Sequence, residues 1–483
     1  MRLPTGTFGA LAVFALAGCN LSFGPNLTGP GSGTGISAVY VRPSGWVLVV
    51  GDTVQLTASA TTQQCDIDFC REWEVDASFT WTSSNPSIVT VSGGLVRAVG
   101  SGTTFVIAEA GGMQAAALVR VGSARIPLDR MGAGGRCALT SGGAAYCWGL
   151  DINSPDTALT LYQPRPLAGG LTFSAIAAGS AAACGITTDL RGFCWGAGYL
   201  GDGRSHFSRD AVLIAGGLTF RSLSAGKRNA ANSHNEHICG VAADGAAWCW
   251  GANDAGQLGS DATLPSCNNG EIGHDYPCSA VPVAVAGGLS FAAISAGGMH
   301  TCALTTNGTA YCWGDNTWGQ LGDSSTIAHP KPAPVRGAPG FTAVTAGADH
   351  TCGLTSAGQV WCWGRNEGGE LGLGSQDTMP HPAPAPVASD QRFAALDAAH
   401  TTCGLTPAGQ AYCWGAGVTS PTPVSGGLTF RSLGVVSLPT VFYIGYGFFS
   451  PTSGEACGIA TDSRGYCWEG VGNPFPLVGP VQP

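Results

Sequence analysis

The chain has 483 residues, too many for one ordinary compact core, so several domains or a repeat architecture is expected. Charged residues make up 11% against roughly 25% in a typical soluble protein, and 75 glycines point instead to many tight turns and an all-β fold. The net charge of −9 is thinly spread, and no Lys/Arg cluster could neutralise a run of phosphates, which argues against a nucleic-acid partner.

At the N-terminus, Arg2 supplies a positive region, Phe8 to Ala17 an apolar stretch, and Leu16-Ala17-Gly18-Cys19 closes a segment that reads as an export signal. The apolar run is too short to span a bilayer. Small residues before a cysteine at that distance resemble the bacterial lipobox, which implies removal of residues 1–18 and acylation of Cys19. An ordinary cleaved signal is the alternative. Several acyl chains anchor a protein stably where one does not. The expectation is an exported protein, lipid-anchored in the cell envelope, with Asn20 favouring the outer membrane or cell surface. Residues 19–35, rich in Gly, Pro, Ser and Thr, form a solvated tether.

Nineteen cysteines are an odd number, and acylating Cys19 resolves the parity. Fourteen of the rest share one separation of ten: Cys137/Cys147, Cys184/Cys194, Cys239/Cys249, Cys302/Cys312, Cys352/Cys362, Cys403/Cys413 and Cys457/Cys467. The intervening Thr406-Pro407-Ala408-Gly409-Gln410 suits a three-residue hairpin loop, with proline in a type I turn and glycine in a G1 bulge. Counting outward from the Thr406/Gln410 pair puts Cys403 opposite Cys413 at a non-hydrogen-bonded position, with Cα atoms about 4.5 Å apart, a separation a disulfide accepts. Gly143, Gly245, Gly308, Gly358 and Gly465 are read as the corresponding turn glycines. Structural zinc is the competing reading, but its cysteines stand two to four residues apart. Each staple closes a short loop, which in the chain-entropy account contributes about 2.5 to 3 kcal/mol. Cys65/Cys70 and Cys267/Cys278 most simply pair within their own loops.

Residues 36–122 alternate apolar and polar in short runs, as in Val54, Leu56 and Ala58, and suit a β-sandwich of about seven strands. The strings VVGDTVQLTASA and FTWTSSNPSIVTVSGGLVRAVGSGTTFVIAEA resemble the bacterial immunoglobulin-like group 2 domain. That resemblance implies a spacer or adhesive module, with Trp81 as the core tryptophan and the insert from Cys65 to Trp73 as a surface addition.

From 126 to 483 a unit recurs seven times, with Trp148, Trp195, Trp250, Trp313, Trp363, Trp414 and Trp468 each following the second cysteine of a pair. Separations of 47 to 63 residues are those of propeller blades. The fullest copy runs from Phe291 to Gly322 and on to Pro332-Ala333-Pro334-Val335, read as four strands: Phe291 to Ala296, two around the stapled hairpin, and an outer one near the prolines. The pattern G-x-x-H-T-C-A-L-T-x-x-G-x-x-Y-C-W-G-x-N-x-x-G-Q-L-G resembles the regulator-of-chromosome-condensation repeat, whose seven copies close into a propeller. It is fullest in the third to fifth copies (WGANDAGQLG, WGDNTWGQLG, WGRNEGGELG). The whole chain is therefore expected to be all-β: an Ig-like sandwich followed by a seven-bladed β-propeller with one disulfide per blade. The repeat tryptophans belong in cores between blades.

In a propeller, first-to-second and third-to-fourth strand loops share one face. The long insertions all fall there: Arg228 to Glu236, Pro265 to Cys278, and Gly434 to Glu455 with its aromatics Phe442, Tyr443, Tyr446, Phe448 and Phe449. Aromatic side chains on rigidly held loops are the usual anchors of recognition. These five, together with Trp318 and the tail asparagines Asn253, Asn316 and Asn366, are the candidate binding residues. An extra hairpin folded on the side of the ring is the alternative for the insertions. His237, His300, His350 and His400 lie just before cysteines, but equivalent positions on successive blades are too far apart to ligate one ion, and the repeat's histidine resembles a structural one. No catalytic, metal or cofactor motif accompanies them. The expectation is a monomeric surface module binding a protein or a glycan. An enzyme of the lyase or hydrolase class using the propeller funnel, and a purely structural spacer, are the other readings.

Overall fold

The computed structural model describes residues 36–42, 45–65, 70–122, 127–148, 164–167, 169–227, 236–268, 275–436, 455–469, 471–472 and 474–477. Cys19, expected to carry the acyl chains, and the candidate binding residues Phe442, Tyr443, Tyr446, Phe448 and Phe449 lie outside the described residues. All described regular structure is β.

Short alternating runs make the N-terminal unit a sandwich. Along Gly102–Ala110 the side chains of Thr104, Val106, Ala108 and Ala110 turn inward, while Thr103, Phe105 and Glu109 turn to solvent. Ten strands form among the described residues, where the sequence suggested about seven. The first edge comprises two strands, Ala38–Arg42, which pairs antiparallel with Thr57–Cys65, and Gly45–Val49, which pairs parallel with Met113–Gly122. Leu48, Leu56, Val89, Val96, Val106 and Val119 are fully buried, and Trp81 packs partly buried against them. Cys65 stands opposite Cys70 in the register of neighbouring strands, and Trp73 beyond them is exposed.

The first blade begins at Leu128. Seven antiparallel sheets follow, each drawn from contiguous chain: blade 4 comprises Phe291–Ala296, His300–Thr305, Ala310–Gly314 and His329–Pro334. In every blade the repeat cysteines face each other across the central hairpin and form a disulfide. In chain order the bonds are Cys137–Cys147, Cys184–Cys194, Cys239–Cys249, Cys302–Cys312, Cys352–Cys362, Cys403–Cys413 and Cys457–Cys467, with Cα atoms 4.0 to 4.1 Å apart. That is the narrow, non-hydrogen-bonded spacing expected from the turn. The second cysteine of each pair also faces the outer strand of its blade: Cys147 stands opposite Arg165, Cys194 opposite Val212, Cys249 opposite Val283 and Cys362 opposite Ala385. Cys194, Cys249 and Cys362 are fully buried, whereas Cys147 is only partly so. All four are structural residues, their sulfurs committed to a disulfide and therefore withheld from metal ligation or ligand binding. Thr406 N donates to Gln410 O at 2.9 Å and Gly409 adopts φ +80°, so the bulged turn closes as the sequence implies.

One turn assignment is corrected. Six residues past the first cysteine, blade 7 has Ser463 at φ 66° and blade 2 has Leu190 at φ 65°, so two non-glycine residues hold the left-handed position. Gly465 instead begins a strand, opposite Ile459 and Leu477.

Seven equivalent cores join the blades. In each, the disulfide of one blade packs against the Trp of the next and against a large apolar residue at or just before the start of that blade's innermost strand, for example Cys302 and Cys312 against Phe341 and Trp363. That residue is Phe173, Phe220, Phe291 or Phe430 as the first of its strand, Phe341 or Phe393 two residues before it, and Leu128 in blade 1. All seven tryptophans are buried. The last core closes the ring: Cys457, Ile459 and Cys467 of blade 7 pack on Leu128, Met131 and Trp148 of blade 1. Among the described residues, closure involves no exchanged strand. It adds Leu128 N to Ser463 O at 3.1 Å, Met131 N to Ser432 Oγ at 2.9 Å, and an exposed ion pair of Arg431 with Asp129 at 3.3 Å.

Blade 3 departs from the others. Part of its Pro265 to Cys278 insertion folds as a fifth strand, Ser266–Asn268, on the outer strand Asp275–Ala284, with Cys267 and Cys278 disulfide-bonded. Tyr276 and Cys278 pack on Tyr199, Leu200 and Ile214 of blade 2. The described part of this insertion is thus an added strand on the outer edge of blade 3.

Candidate functional site

The geometry at the ring axis follows from one register position. Opposite the first repeat cysteine, the innermost strands of blades 2 to 7 carry Ala177, Ser224, Ser295, Thr345, Asp397 and Gly434. Where this residue has an oxygen, it accepts the backbone N–H that follows the same position in the next blade. Ser224 takes Ala296 N at 3.0 Å, Ser295 takes Ala346 N at 2.9 Å, Thr345 takes Ala398 N at 3.1 Å, and Asp397 takes Val435 N at 2.8 Å. A second carboxylate bond reaches over blade 7 to Gly134 N of blade 1, at 2.9 Å. Gly434 permits this close approach, since a Cβ there would lie 2.5 Å from Gly132 O and Gly135 N.

Asp397 also crosses the axis. Its Oδ1 accepts from Lys227 Nζ of blade 3 and, at 3.3 Å, from Thr345 Oγ1, while Lys227 Nζ donates to Ala398 O at 2.6 Å. Lys227 is 2% exposed and Asp397 5%. Buried charges persist when paired and hydrogen-bonded, and here one carboxylate contacts blades 1, 3, 5 and 7 from blade 6.

Around this latch runs a girdle of histidines. His237, His300 and His350 each reach the threonine of the next blade through Nε2: Thr301 at 2.8 Å, Thr351 at 2.9 Å and Thr402 at 2.7 Å. Thr301 and Thr351 spend their single hydroxyl protons on Gln257 O and Gln320 O, at 2.8 and 2.9 Å. The imidazole Nε2 must therefore be the donor in those two bonds. Burial pushes the His300 imidazole down to about 4 and that of His350 to about 3, so both are neutral at pH 7. Their work is joining blades. His400 is excluded from the girdle: an extra residue in blade 6 puts Thr401 opposite Gly415, where His350 stands opposite Gly364. In blade 7 the same slot holds Glu455. Among the described residues, the only grouping of metal-ligating atoms is Glu455 with Cys457 and Cys467, and those two cysteines are disulfide-bonded to each other. Glu236, just before His237, is buried, and the loss of solvent raises its carboxyl to about 8.

The tail loops join the third and fourth strands of their blades. Their asparagines correct the sequence reading. Asn316 is completely buried: its Oδ1 accepts Leu321 N at 3.0 Å and its amide donates to Ser325 O and Ile327 O at 3.0 and 2.9 Å. Asn366 does the same for Leu371 N and Ser375 O. Asn253, partly exposed, accepts Leu258 N at 2.9 Å. These side chains organise their own loops, and the two buried ones offer a ligand nothing. Trp318 does reach the surface, half-buried, with the Arg365 guanidinium 5.3 Å from its ring centroid. Arg365 is held by Asp349 at 3.3 Å and by Glu367. Two residues ahead of the outer strands of blades 4 and 5, Ile327 and Met379 are 69% and 67% exposed. Sequence reading missed this pair, because a lone apolar residue in a loop carries no periodic signal.

Fold and site together define a cysteine-stapled seven-bladed propeller following an Ig-like sandwich. Comparison gives the family: residues 244–304, 307–354 and 357–405 match the regulator of chromosome condensation (RCC1) repeat, and 36–119 the bacterial Ig-like domain (group 2). The chain is an RCC1-repeat protein with a bacterial Ig-like domain. It is 37% identical over 106 residues to the RCC2 homolog of Xenopus laevis, which is 22% of this chain and 18% of that protein. It is 38% identical over 90 residues to the probable E3 ubiquitin-protein ligase HERC3 of Homo sapiens, 18% of this chain and 7% of that protein. These matches span less than a fifth of each relative. The Prp20p structure from Saccharomyces cerevisiae shares the fold with a TM-score of 0.52 at 19% identity, over 64% of this chain and 79% of that one.

Proposed function

We propose that this protein is an envelope-anchored binding module that recognises a protein partner through the propeller face carrying the tail loops and insertions. The observation that carries the reading is the occupied axis. The polar groups converging there, Lys227 and Asp397, are buried and committed to each other and to backbone groups of other blades, so recognition falls to the loops around them. Catalysis in the funnel would need unspent acids and bases at that point. Prp20p, described by its binding properties to Gsp1p and histones, is a precedent for protein recognition on this scaffold and names no partner for this chain. The leader ending at Cys19 and the tether to Gly35 support presentation at a membrane surface.

The test is capture of partners from envelope extracts with the chain from Ile36 onward. Serine at Phe442, Tyr443, Tyr446, Phe448 and Phe449 is expected to abolish capture and leave near-UV circular dichroism unchanged. Capture that survives both this replacement and removal of the tail-loop side chains overturns the reading. Cys19→Ser is expected to release the protein from membranes.

A further inference from the structure

We propose that the rim of blades 4 and 5 docks a cationic, amphipathic segment of the partner protein, with Trp318, Ile327 and Met379 as its apolar contacts and Asp315, Asp349 and Glu367 as its ionic surround. This deepens the reading of the propeller as a protein-binding module and rests on it.

Three observations carry the inference. The first is the exposure of Ile327 and Met379, the most exposed large apolar residues among those described. They occupy equivalent positions in adjacent blades. Exposed apolar groups gathered in one place mark interaction sites, whereas scattered ones do not. Trp318 links the two: its carbonyl accepts His381 N at 3.1 Å, two residues from Met379, and Ile327 O accepts Asn316 Nδ2 at 2.9 Å, two residues from Trp318.

The second is rigidity. The blade 4 loop is tied down by Asn316 and by His329 Nε2 with Asp323 at 2.7 Å; the blade 5 loop is tied by Asn366 and by His381 Nε2 with Asp377 at 3.0 Å. Trp318 N donates to Gln320 Oε1 at 2.8 Å while Arg365 covers the indole. Anchors already fixed in place lose little entropy on binding.

The third is charge. Arg365 is the single cation of the two tail loops, and it is already engaged by Asp349 and Glu367. Asp315 lies three residues before Trp318, accepts from Gln320 Nε2 at 2.8 Å, and adds to the negative surround. With a net charge of −9 on the chain, the complementary partner surface is basic. Lys or Arg stems would cover the apolar ridge while their heads meet the carboxylates.

The probe is a fluorescein-labelled synthetic peptide with Leu and Phe anchors flanked by Lys and Arg, paired with a twin carrying Glu at every basic position. Fluorescence anisotropy is read on the protein from Ile36 at low and at physiological salt. The basic peptide is expected to bind, to weaken with salt, and to lose about tenfold or more in affinity in a variant combining Trp318→Ala, Ile327→Ser and Met379→Ser. Phe207→Ser with Leu213→Ser, at exposed apolar positions of blade 2, is expected to change nothing. Equal binding of the acidic twin, or undiminished binding by the triple variant, overturns the assignment. The two readings fail separately: partner capture retained by the triple variant but lost with the blade 7 aromatics sinks this docking site alone. Capture indifferent to every loop of the face sinks both.

Discussion

Blades 3 to 6 and blades 7, 1 and 2 carry the same disulfides and the same buried tryptophans, yet they are joined differently. Between blades 3 and 6, neighbours repeat two bonds: a Ser or Thr oxygen on the innermost strand takes the next blade's N–H, and a histidine reaches the next threonine. Across the junctions that involve blades 7, 1 and 2, four of those positions fall to Gly434, Gly135, Ala177 and Ala182, which carry no polar side chain, while Glu455 takes the histidine slot of blade 7. Asp397 compensates, reaching blade 1 directly and tying in blade 3 through Lys227. The staples make each blade a unit, while non-covalent bonds hold the ring, and one carboxylate carries the weak half.

Removing that carboxylate gives the largest expected effect. Asp397→Ala leaves Lys227 buried without its counter-charge and strips acceptors from Gly134 N and Val435 N, at a cost of about 3–5 kcal/mol. Thr345→Ala, the same position in the regular half, is expected to cost about 1 kcal/mol. Urea unfolding of the two variants compares the halves directly, and equal losses would refute the asymmetry. Adding Lys227→Met to Asp397→Ala should recover part of the loss.

A smaller effect comes from pH. An unfolded chain protonates the imidazoles of His300 and His350 near 6.5, whereas the folded one resists down to about 4 and 3, so stability falls as pH drops below 6.5. Glu236 acts in the opposite sense. Its folded carboxyl keeps a proton up to about 8 against 4.5 when unfolded, so stability also falls as pH rises through that window. The imidazoles, His400 among them, lower stability on the acid side and the Glu236 carboxyl lowers it on the alkaline side, so stability peaks between the two limbs. Each limb has a slope of at most about 1.4 kcal/mol per pH unit per proton. Thermal melts across this range should show both limbs, and Glu236→Gln should flatten the alkaline one.

The smallest effect lies in the turns. Leu190→Gly relieves a left-handed backbone at an exposed position and is expected to stabilise blade 2 by about 0.5–1 kcal/mol after the entropy cost of glycine. Gly409→Ala is expected to destabilise by about 1–2 kcal/mol, since φ is +80° and a Cβ would sit 2.7 Å from Phe430 O. Melting temperatures moving together would show that the turns are not strained differently.

Much of this was legible in the chain. A cysteine spacing of ten with a bulged turn between implies opposed, stapled strands, and the pairs Cys137–Cys147, Cys184–Cys194, Cys239–Cys249 and Cys352–Cys362 face each other as that count requires. The innermost strand Phe291–Ala296 was readable to the residue. The misreadings have a common cause. Asn316 and Asn366 looked like surface recognition groups because polar loop residues usually face water, and only the folded loop shows their hydrogen bonds spent internally. Gly465 looked like a turn glycine because glycine is the default at positive φ, and Ser463 took that place.

By itself the sequence determined the elements: which cysteines oppose, how many blades form, and which tryptophans leave water. Those features depend on contacts within a blade or on burial that any neighbouring blade would provide. Only the tertiary structure decided the latch. Lys227 and Asp397 lie 170 residues apart in blades that never touch as neighbours, so no local pattern encodes their meeting. The curvature of seven packed sheets brings them together, and the loss of a side chain at Gly434 lets the carboxylate span the gap to blade 1.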